Sequence, residues 1–306
     1  MLCDNDDIDL LAAEIERIRT EFPHLDGLLR AFGPLILARN RWLNDVREYT
    51  RVFPVDPVQY LGGVPLSQQC QIFFPEDPWQ KAGLSVAAAI SFGFPHCAED
   101  MAALADKIAD GTFNCFALMS CPAAPDDAQI TASATELGIE PQVLLLFQRF
   151  LRQFMLSKRA RDMAAELASL SWKKGYCPVC GSFPQLAIIR ELGQRWLQCG
   201  DCNHEWQFSR LTCPSCGHED PENTNFLFVE GKKEETAFTC SQCRKYLLTS
   251  NRPVEMRKTS ADLIALSLAH LDLILQEKGF QPMVVTGWNT FGSAGELTDL
   301  CMGLTY

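Results

Sequence analysis

Four Cys-x-x-Cys pairs follow one another between residues 177 and 243, and this repeated spacing constrains the fold more than any other feature of the chain. Two such turns joined by a hairpin can place four sulfurs in a tetrahedron around one metal ion. Sequential pairing keeps the loops short, which is favourable because loop-closure entropy grows with loop length. Interleaved pairing, with longer crossings, is the open alternative. The predicted first cysteine group is Cys177, Cys180, Cys199 and Cys202, and the predicted second cysteine group is Cys213, Cys216, Cys240 and Cys243.

Each of these turns needs one residue with a left-handed backbone to close it. Gly181 and Gly217 stand directly after their pairs and adopt this conformation without steric strain. Asn203 can take the same role after the second pair. Arg244 stands directly after the fourth pair and adopts a left-handed backbone at a greater steric cost, so we expect that turn to be the least regular.

Tetrahedral sulfur ligation suits zinc or a single iron, and the ligand set alone does not choose between these metals. A thioredoxin-like redox pair would require a surrounding βαβ pattern, which this sequence lacks. His204 and His218 come soon after cysteines of the two groups. Because four sulfurs complete each tetrahedron, we expect both histidines to lie beside the ions rather than bind them.

The remaining cysteines lack ligand spacing, and we interpret most of them as small buried residues or surface thiols. They are Cys3, Cys70, Cys97, Cys115, Cys121 and Cys301. His96 precedes Cys97 directly, but adjacent side chains rarely face each other, which disfavours a catalytic dyad. The sequence shows no phosphate-binding loop, Gly-x-Ser-x-Gly motif or dinucleotide fingerprint. We therefore expect no catalytic residues and no enzymatic activity.

The hydrophobic pattern predicts helices throughout the first half of the chain. A broad apolar stripe runs from Val143 to Met155 at helical spacing and indicates a bundle core. A helix interruption is expected near Pro34, and residues 51–79 are predicted to be mostly loop because they are rich in proline and glycine.

From Gly175 the pattern changes to short alternating runs typical of hairpin strands, and helical spacing returns at Ser260 and stops at Gly279. The predicted fold class is α+β: an N-terminal all-α helical domain, two tandem rubredoxin-like or zinc-ribbon β modules, and a C-terminal helix. The predicted regions are 1–172 (helical domain and candidate partner-binding region), 173–209 (first four-cysteine ribbon), 210–250 (second four-cysteine ribbon) and 251–306 (C-terminal helix and irregular tail).

The charge of the chain restricts its partners. A formal net charge of −11 disfavours broad binding to nucleic acid or anionic membranes, which usually requires a basic surface. The longest weakly polar stretch, residues 83–94, is shorter than the roughly 20 apolar residues that cross a bilayer. The first residues, MLCDNDDIDL, are acidic where a secretory leader is basic. We expect a cytoplasmic protein without a nucleic-acid partner or membrane insertion, and its oligomeric state stays open.

The cysteine-rich region resembles the formate dehydrogenase accessory protein family FdhE. The resemblance lies in CPVCGSFPQ, RWLQCGDCNHEWQFSRLTCPSCG, FTCSQCRKYLL and ADLIALSLAHLDLILQEKGFQP, in this order, over about residues 173–282. It implies a helical N-terminal domain, two rubredoxin-like metal folds associated with iron, and no catalytic activity. It also implies a cytoplasmic factor that is needed for active formate dehydrogenase and engages its catalytic subunit. Arg244 departs from the glycine usual in this family, and the residues after Pro282 do not resemble its usual ending.

Three functional hypotheses follow from these observations. The leading hypothesis is a non-enzymatic assembly factor that binds the catalytic subunit of immature formate dehydrogenase. The second is a rubredoxin-like electron-transfer protein that serves cofactor maturation of that enzyme, which requires iron in the sites. The third is a zinc-ribbon nucleic-acid-binding protein, which the acidic charge disfavours.

Overall fold

The computed structural model describes residues 5–46, 53–119, 128–168, 170–229, 232–251 and 260–289. These residues form two compact units, one drawn from residues 1–48 and 73–158 and the other from residues 49–72 and 159–291. Segments 49–72 and 159–172 therefore group with the cysteine-rich region, although the sequence placed them in the helical domain. The division into four regions stays a prediction. Cys3, Cys121 and Cys301 lie outside the described residues.

Helices dominate the first unit, and strands dominate the second. The helices are α1 (Asn5–Glu21), α2 (Asp26–Asp45), α3 (Pro57–Gly62), α4 (Leu66–Gln69), α5 (Trp79–Gly93), α6 (Ala98–Ala109), α7 (Cys115–Leu118), α8 (Ala128–Leu137), α9 (Pro141–Asp162), α10 (Ala164–Ala168), α11 (Ala261–Ser267) and α12 (Ala269–Glu277). The strands are β1 (Pro184–Ile189), β2 (Arg195–Cys199), β3 (Glu205–Phe208), β4 (Thr224–Val229), β5 (Lys232–Cys240), β6 (Lys245–Ser250) and β7 (Gln281–Pro282). Within the described ranges, no helix is both long and apolar enough to cross a membrane.

The first unit is built on the apolar faces of its helices. Trp42 of α2 packs on Phe154 of α9, with ring centroids 5.6 Å apart. Helix α5 ends so close to α2 that a Cβ on Gly93 would lie 2.1 Å from the Ala31 carbonyl oxygen. The buried members of the predicted stripe on α9 are Val143, Leu144, Phe147, Phe150, Leu151, Phe154 and Met155. The predicted helical first half and its core stripe are thus confirmed.

One local prediction for this half was wrong. Helix α2 continues through Pro34 without interruption. Pro34 removes one backbone donor, but Phe32 and Leu35 are buried on either side of it and keep the helix packed. The described part of segment 51–79 is mostly loop, as predicted, and it also contains the short helices α3 and α4. Asp56 caps α3 by accepting hydrogen bonds from two backbone N–H groups, which offsets the weak helix propensity of this segment.

The second unit contains a sheet with the strand order β3-β2-β1-β6-β5-β4, and β7 pairs with β6. Strands β1 to β3 form one antiparallel ribbon, and β4 to β6 form the other. Strands β1 and β6 pair in parallel, with Leu186 opposite Leu248. The predicted α+β class with two tandem ribbon modules is confirmed, and this parallel pairing joins the modules into one sheet.

Helices α11 and α12 pack on this sheet. The predicted C-terminal helix is present but is divided at Leu268, which has φ −97° and ψ 8°. The residues that follow it are not wholly irregular, since Gln281–Pro282 forms β7 beside β6. The buried cluster between helices and sheet is Leu186, Ala237, Tyr246, Leu248, Ile264, Ala265, Leu268, Leu271 and Leu275.

Candidate metal centres

The structure brings the first cysteine group together at the ends of the first ribbon. The sulfur of Cys177 lies 3.4 Å from that of Cys202, and the sulfur of Cys180 lies 3.4 Å from that of Cys199. All four sulfurs lie within 4.8 Å of one another. The first two Cys-x-x-Cys pairs therefore come together, as the sequential pairing predicts.

The second cysteine group gathers in the same way at the second ribbon. The sulfurs of Cys213 and Cys243 are 3.8 Å apart, as are those of Cys216 and Cys240. These four atoms also lie within 4.8 Å of one another. The interleaved alternative does not describe this structure.

The sulfur spacing fits a bound ion. Metal–sulfur bonds of about 2.3 Å in a tetrahedron separate the sulfurs by roughly 3.8 Å. The second cysteine group has this spacing, and the first is slightly tighter. Four thiolates suit zinc or iron equally, so the donor set does not select the metal. That these eight cysteines are metal ligands is our proposal.

Burial explains why the first cysteine group needs a cation to hold thiolates. Burial raises the pKa of Cys199 and of Cys202, whereas hydrogen bonding, first from Cys177, lowers the pKa of Cys180. Four negative sulfurs in a buried space would repel one another without a cation. Metal binding must therefore displace protons, and it becomes more favourable as pH rises.

The two groups differ in their access to solvent. Cys177, Cys199 and Cys202 are at most 1% exposed. In the second cysteine group, Cys213 and Cys240 are equally buried, but Cys216 is exposed. An ion in the second cysteine group would therefore lie beside a thiolate that faces solvent.

Three of the four turns are closed by the same backbone hydrogen bond, and the fourth by the equivalent strand pairing. In the fourth turn Cys240 pairs with Lys245. A further N–H group, that of Val179, donates to the sulfur of Cys177 at 3.4 Å. In each of the first three turns, the N–H of the first cysteine donates to the carbonyl oxygen five residues later. These bonds are Cys177 to Ser182 at 2.8 Å, Cys199 to His204 at 3.0 Å, and Cys213 to His218 at 2.8 Å.

The predicted left-handed residues all adopt that conformation. Gly181, Asn203 and Gly217 have φ values of 82°, 59° and 72°. Arg244 has φ 58°, which is nearly the value of Asn203. The expectation that the fourth turn would be the least regular is therefore wrong for its backbone.

Contacts of the Arg244 side chain account for this conformation. Its Nη2 donates to the carbonyl oxygens of Lys278 at 3.2 Å and Gly279 at 3.3 Å. The guanidinium also lies over the ring of Phe280, 4.7 Å from its centroid. These contacts tie the fourth turn to the end of α12 and offset the cost of a left-handed residue that carries a Cβ.

A buried polar network supports the second turn. Asp262 at the start of α11 is 2% exposed and accepts hydrogen bonds from Gln185 Nε2 at 2.7 Å and Asn203 Nδ2 at 3.0 Å. Gln198 Nε2 donates to Asn203 Oδ1 at 2.8 Å. The ring is completed by Gln185 Nε2, which also donates to Gln198 Oε1 at 2.9 Å. This network was not predicted, because polar residues in strands and at helix starts resemble surface positions in a sequence.

The first two residues of α4 support the first turn. The N–H of Leu66 donates to the Pro178 carbonyl and the N–H of Ser67 donates to the Val179 carbonyl, both at 2.9 Å. These residues are more than a hundred positions from the cysteines they support, and no spacing in the sequence marks them. The contact explains why segment 49–72 groups with the cysteine-rich unit.

The two histidines lie beside the cysteine groups and are not members of them. The ring of His204 stacks on that of Trp206, with centroids 6.5 Å apart, and burial lowers the pKa of His204 to about 4. His218 Nε2 lies 3.2 Å from Asn223 Nδ2. Neither histidine belongs to the two four-sulfur groups, and that they do not bind the ions stays a prediction.

The described cysteines outside the two groups match their prediction as small packed residues. Cys97 and Cys115 are buried. Burial raises the pKa of Cys115 to about 12 and also raises that of the half-buried Cys70. Protonated, packed thiols of this kind are poor nucleophiles and poor ligands.

Fold and site together define a class of protein in which helices accompany two four-cysteine centres of the rubredoxin or zinc-ribbon type. The family model "FdhE, central domain" matches residues 176–210. A protein FdhE homolog of Aquifex aeolicus is 31% identical over 116 residues, and one of Shewanella baltica is 35% identical over 113 residues. These matches cover 36% and 35% of this chain, and 40% and 36% of the relatives' own lengths.

A solved structure extends the likeness to the whole fold. The crystal structure of the FdhE protein from Pseudomonas aeruginosa has a TM-score of 0.54 and 22% sequence identity to this chain. The match covers 92% of this chain and 95% of that protein. The resemblance noted in the sequence is confirmed over the cysteine-rich region, where the FdhE family model and the FdhE homologs match this chain.

Proposed function

We propose that this protein is a non-enzymatic, cytoplasmic accessory factor that binds the catalytic subunit of formate dehydrogenase during its maturation. The observation that carries the proposal is the closed four-sulfur geometry of the first cysteine group, which lies inside the stretch matched by the FdhE family. The assignment of client and compartment rests on family resemblance.

The geometry of the sites supports a structural role for their ions. An ion held by four protein sulfurs has no open position for a substrate, so it does not act as a Lewis acid. Such an ion contributes folding free energy to a small ribbon that lacks a large core of its own. The ribbons would then present a fixed surface to a client protein.

The test is co-purification from cells that make formate dehydrogenase. We expect the tagged protein to retain the catalytic subunit, and a deletion strain to lose formate oxidation. The double variant with Cys177→Ser and Cys213→Ser should neither retain the catalytic subunit nor restore formate oxidation to the deletion strain. Cys70→Ser is the matched control, since Cys70 lies outside both groups, and this variant should retain the subunit and restore formate oxidation as the wild type does. Normal formate oxidation in the deletion strain, with no retained subunit, would contradict the proposal.

A second candidate function is single-electron transfer to the client. The exposed sulfur of Cys216 favours it, because electrons leave a buried centre most readily through a ligand near the surface. It requires iron in the sites. Anaerobically purified protein would then be coloured and bleach on reduction, whereas a colourless protein with two zinc ions would exclude this function.

A further inference from the structure

A buried arginine of the first ribbon lies behind the second cysteine group. Arg195, the first residue of β2, is 1% exposed. Its guanidinium lies over two rings, 5.3 Å from the centroid of Phe208 and 5.2 Å from that of Phe238. Arginine is rarely buried to this extent unless a negative charge compensates it.

The contacts of Arg195 point to the second cysteine group. Its Nη2 donates to the carbonyl oxygen of Thr212, which directly precedes Cys213. Phe238, on its other side, stands two residues before Cys240. The guanidinium thus lies between the two chain segments that deliver the first ligands of each pair, although Arg195 belongs to the other ribbon.

No carboxylate pairs with this arginine among the side chains that the structure describes. Its Nε and Nη1 are buried without a hydrogen-bond partner there. Arg159, another buried arginine of the same unit, instead forms an ion pair with Asp162 at 3.1 Å. Burial lowers the pKa of Arg195 to about 10, and the charge of the Cys213 thiolate opposes that shift.

The second cysteine group would supply the missing negative charge. Four thiolates around one divalent ion leave a net charge of about −2. Buried charges are tolerated when an opposite charge lies within a few ångströms of them in the interior. We propose that Arg195 is the counter-charge of the second metal centre and stabilises its thiolates against loss of the ion. This inference rests on the proposal that the cysteine groups hold metal.

The experiment measures the release of metal from each centre separately in the full-length protein. The protein is loaded with NMR-active cadmium, and its signals are assigned with Cys216→Ser, which alters the second centre. Excess EDTA is then added, and the decay of each signal is followed. We expect Arg195→Met to release cadmium from the second centre about tenfold faster or more, because a nearby unit charge is lost. The first centre should keep its rate.

Two further variants separate charge from packing. Arg195→Lys keeps the positive charge and should restore most of the retention. Arg190→Met is the matched control, since Arg190 lies in the same ribbon but pairs with Glu205 and lies over Trp196. It should leave both rates unchanged. If Arg195→Met does not fold, Arg195→Lys and Arg195→Gln are compared instead, and the second centre should be the weaker in Arg195→Gln.

Three outcomes would overturn the inference. Equal acceleration at both centres would assign Arg195 to general stability, and equal effects of Arg195→Lys and Arg195→Met would assign it to packing. An unchanged rate at the second centre in Arg195→Met would also overturn it. These results leave the metal proposal standing, whereas wild-type protein that fails to bind two cadmium ions would remove both.

Discussion

Gly175 lies against Pro214 so closely that a Cβ on Gly175 would come 2.0 Å from the Pro214 carbonyl oxygen and 2.5 Å from its Cα. Gly175 leads into the first Cys-x-x-Cys turn, and Pro214 stands inside the third. The backbones of the two ribbons therefore touch beside their cysteine groups. Since both contacting atoms belong to the backbone, they cannot rotate away as a flexible side chain would.

Gly175→Ala is expected to lower the free energy of unfolding by about 3 kcal/mol or more, at the upper end of overpacking substitutions. The measurement is urea unfolding of the metal-loaded protein. Gly62→Ala is the matched control in the same unit, because a Cβ there meets no heavy atom within 4 Å. That variant should be close to neutral. Equal stability of the two variants would show that the ribbons do not approach as described.

Local spacing predicted much of the site. A Cys-x-x-Cys turn places two sulfurs within a few residues. A short stretch of sequence therefore predicts both the pair of ligands and the left-handed residue that closes the turn. This is why the grouping of the cysteines and the left-handed roles of Gly181, Asn203 and Gly217 could be foreseen. Helical periodicity predicted α9 and its core stripe for the same reason, since the pattern is local.

Contacts between distant segments were not predictable in this way. The parallel pairing of Leu186 with Leu248 joins strands that lie in different ribbons, and no local pattern encodes it. Arg195 and Asp262 are charged residues that a sequence places at the surface, yet both are buried by partners far along the chain. Arg244 was misjudged because its compensating contacts come from the end of α12.

The second prediction concerns Asp262, which holds Asn203 in its left-handed conformation. Asp262→Ala removes the acceptor for Asn203 Nδ2 and Gln185 Nε2, and it leaves a half-buried and a buried donor without this partner. Loss of such a supporting partner lowers metal affinity by about 10- to 100-fold. We expect the first cysteine group to lose zinc or cadmium faster to a chelator, with the second little changed.

Asp272→Asn is the control for Asp262→Ala. Asp272 is also a buried acid of the C-terminal helices, but it accepts a hydrogen bond from Tyr246 and does not contact the second turn. It should leave metal release at neutral pH unchanged. Release from the first cysteine group at the wild-type rate in Asp262→Ala would show that Asn203 does not depend on this carboxylate.

The third prediction separates backbone strain from side-chain contacts at Arg244. Both Arg244→Ala and Arg244→Gly lose the contacts with Lys278, Gly279 and Phe280, but only alanine keeps a Cβ at φ 58°. We expect Arg244→Gly to be more stable than Arg244→Ala by about 1 kcal/mol, the cost of a left-handed non-glycine residue. Urea unfolding measures the difference.

Gly217→Ala gives an independent measure of the cost of placing a Cβ on a residue with a left-handed backbone. Gly217 has φ 72°, and a Cβ there meets nothing within 4 Å, so only backbone strain is added. It should destabilise the protein by about 1–2 kcal/mol. If Arg244→Gly is no more stable than Arg244→Ala while Gly217→Ala shows the expected loss, the fourth turn does not hold Arg244 in this conformation in solution.

The last prediction uses pH. Asp272 is 1% exposed, its Oδ1 accepts a hydrogen bond from Tyr246 at 2.7 Å, and its Oδ2 has no partner among the described residues. Burial raises the pKa of Asp272 from 3.8 to about 7. The folded protein therefore keeps a proton that the unfolded chain releases above about pH 4. The contribution of Asp272 to the free energy of unfolding is therefore fully present below about pH 4 and is lost as the pH rises to about 7.

Asp272→Asn removes this titration and should gain stability relative to wild type by about 3 kcal/mol between about pH 5 and pH 8. The difference in the free energy of unfolding between the two proteins is the proper measure, because proton competition at the cysteine groups is common to both and cancels. Asp110→Asn is the control: hydrogen bonding to Thr112 lowers the pKa of Asp110, so its titration lies below this window. A constant difference between wild type and Asp272→Asn would mean that Asp272 is already ionised in the folded protein at pH 5, and that the space around its unpaired oxygen admits water.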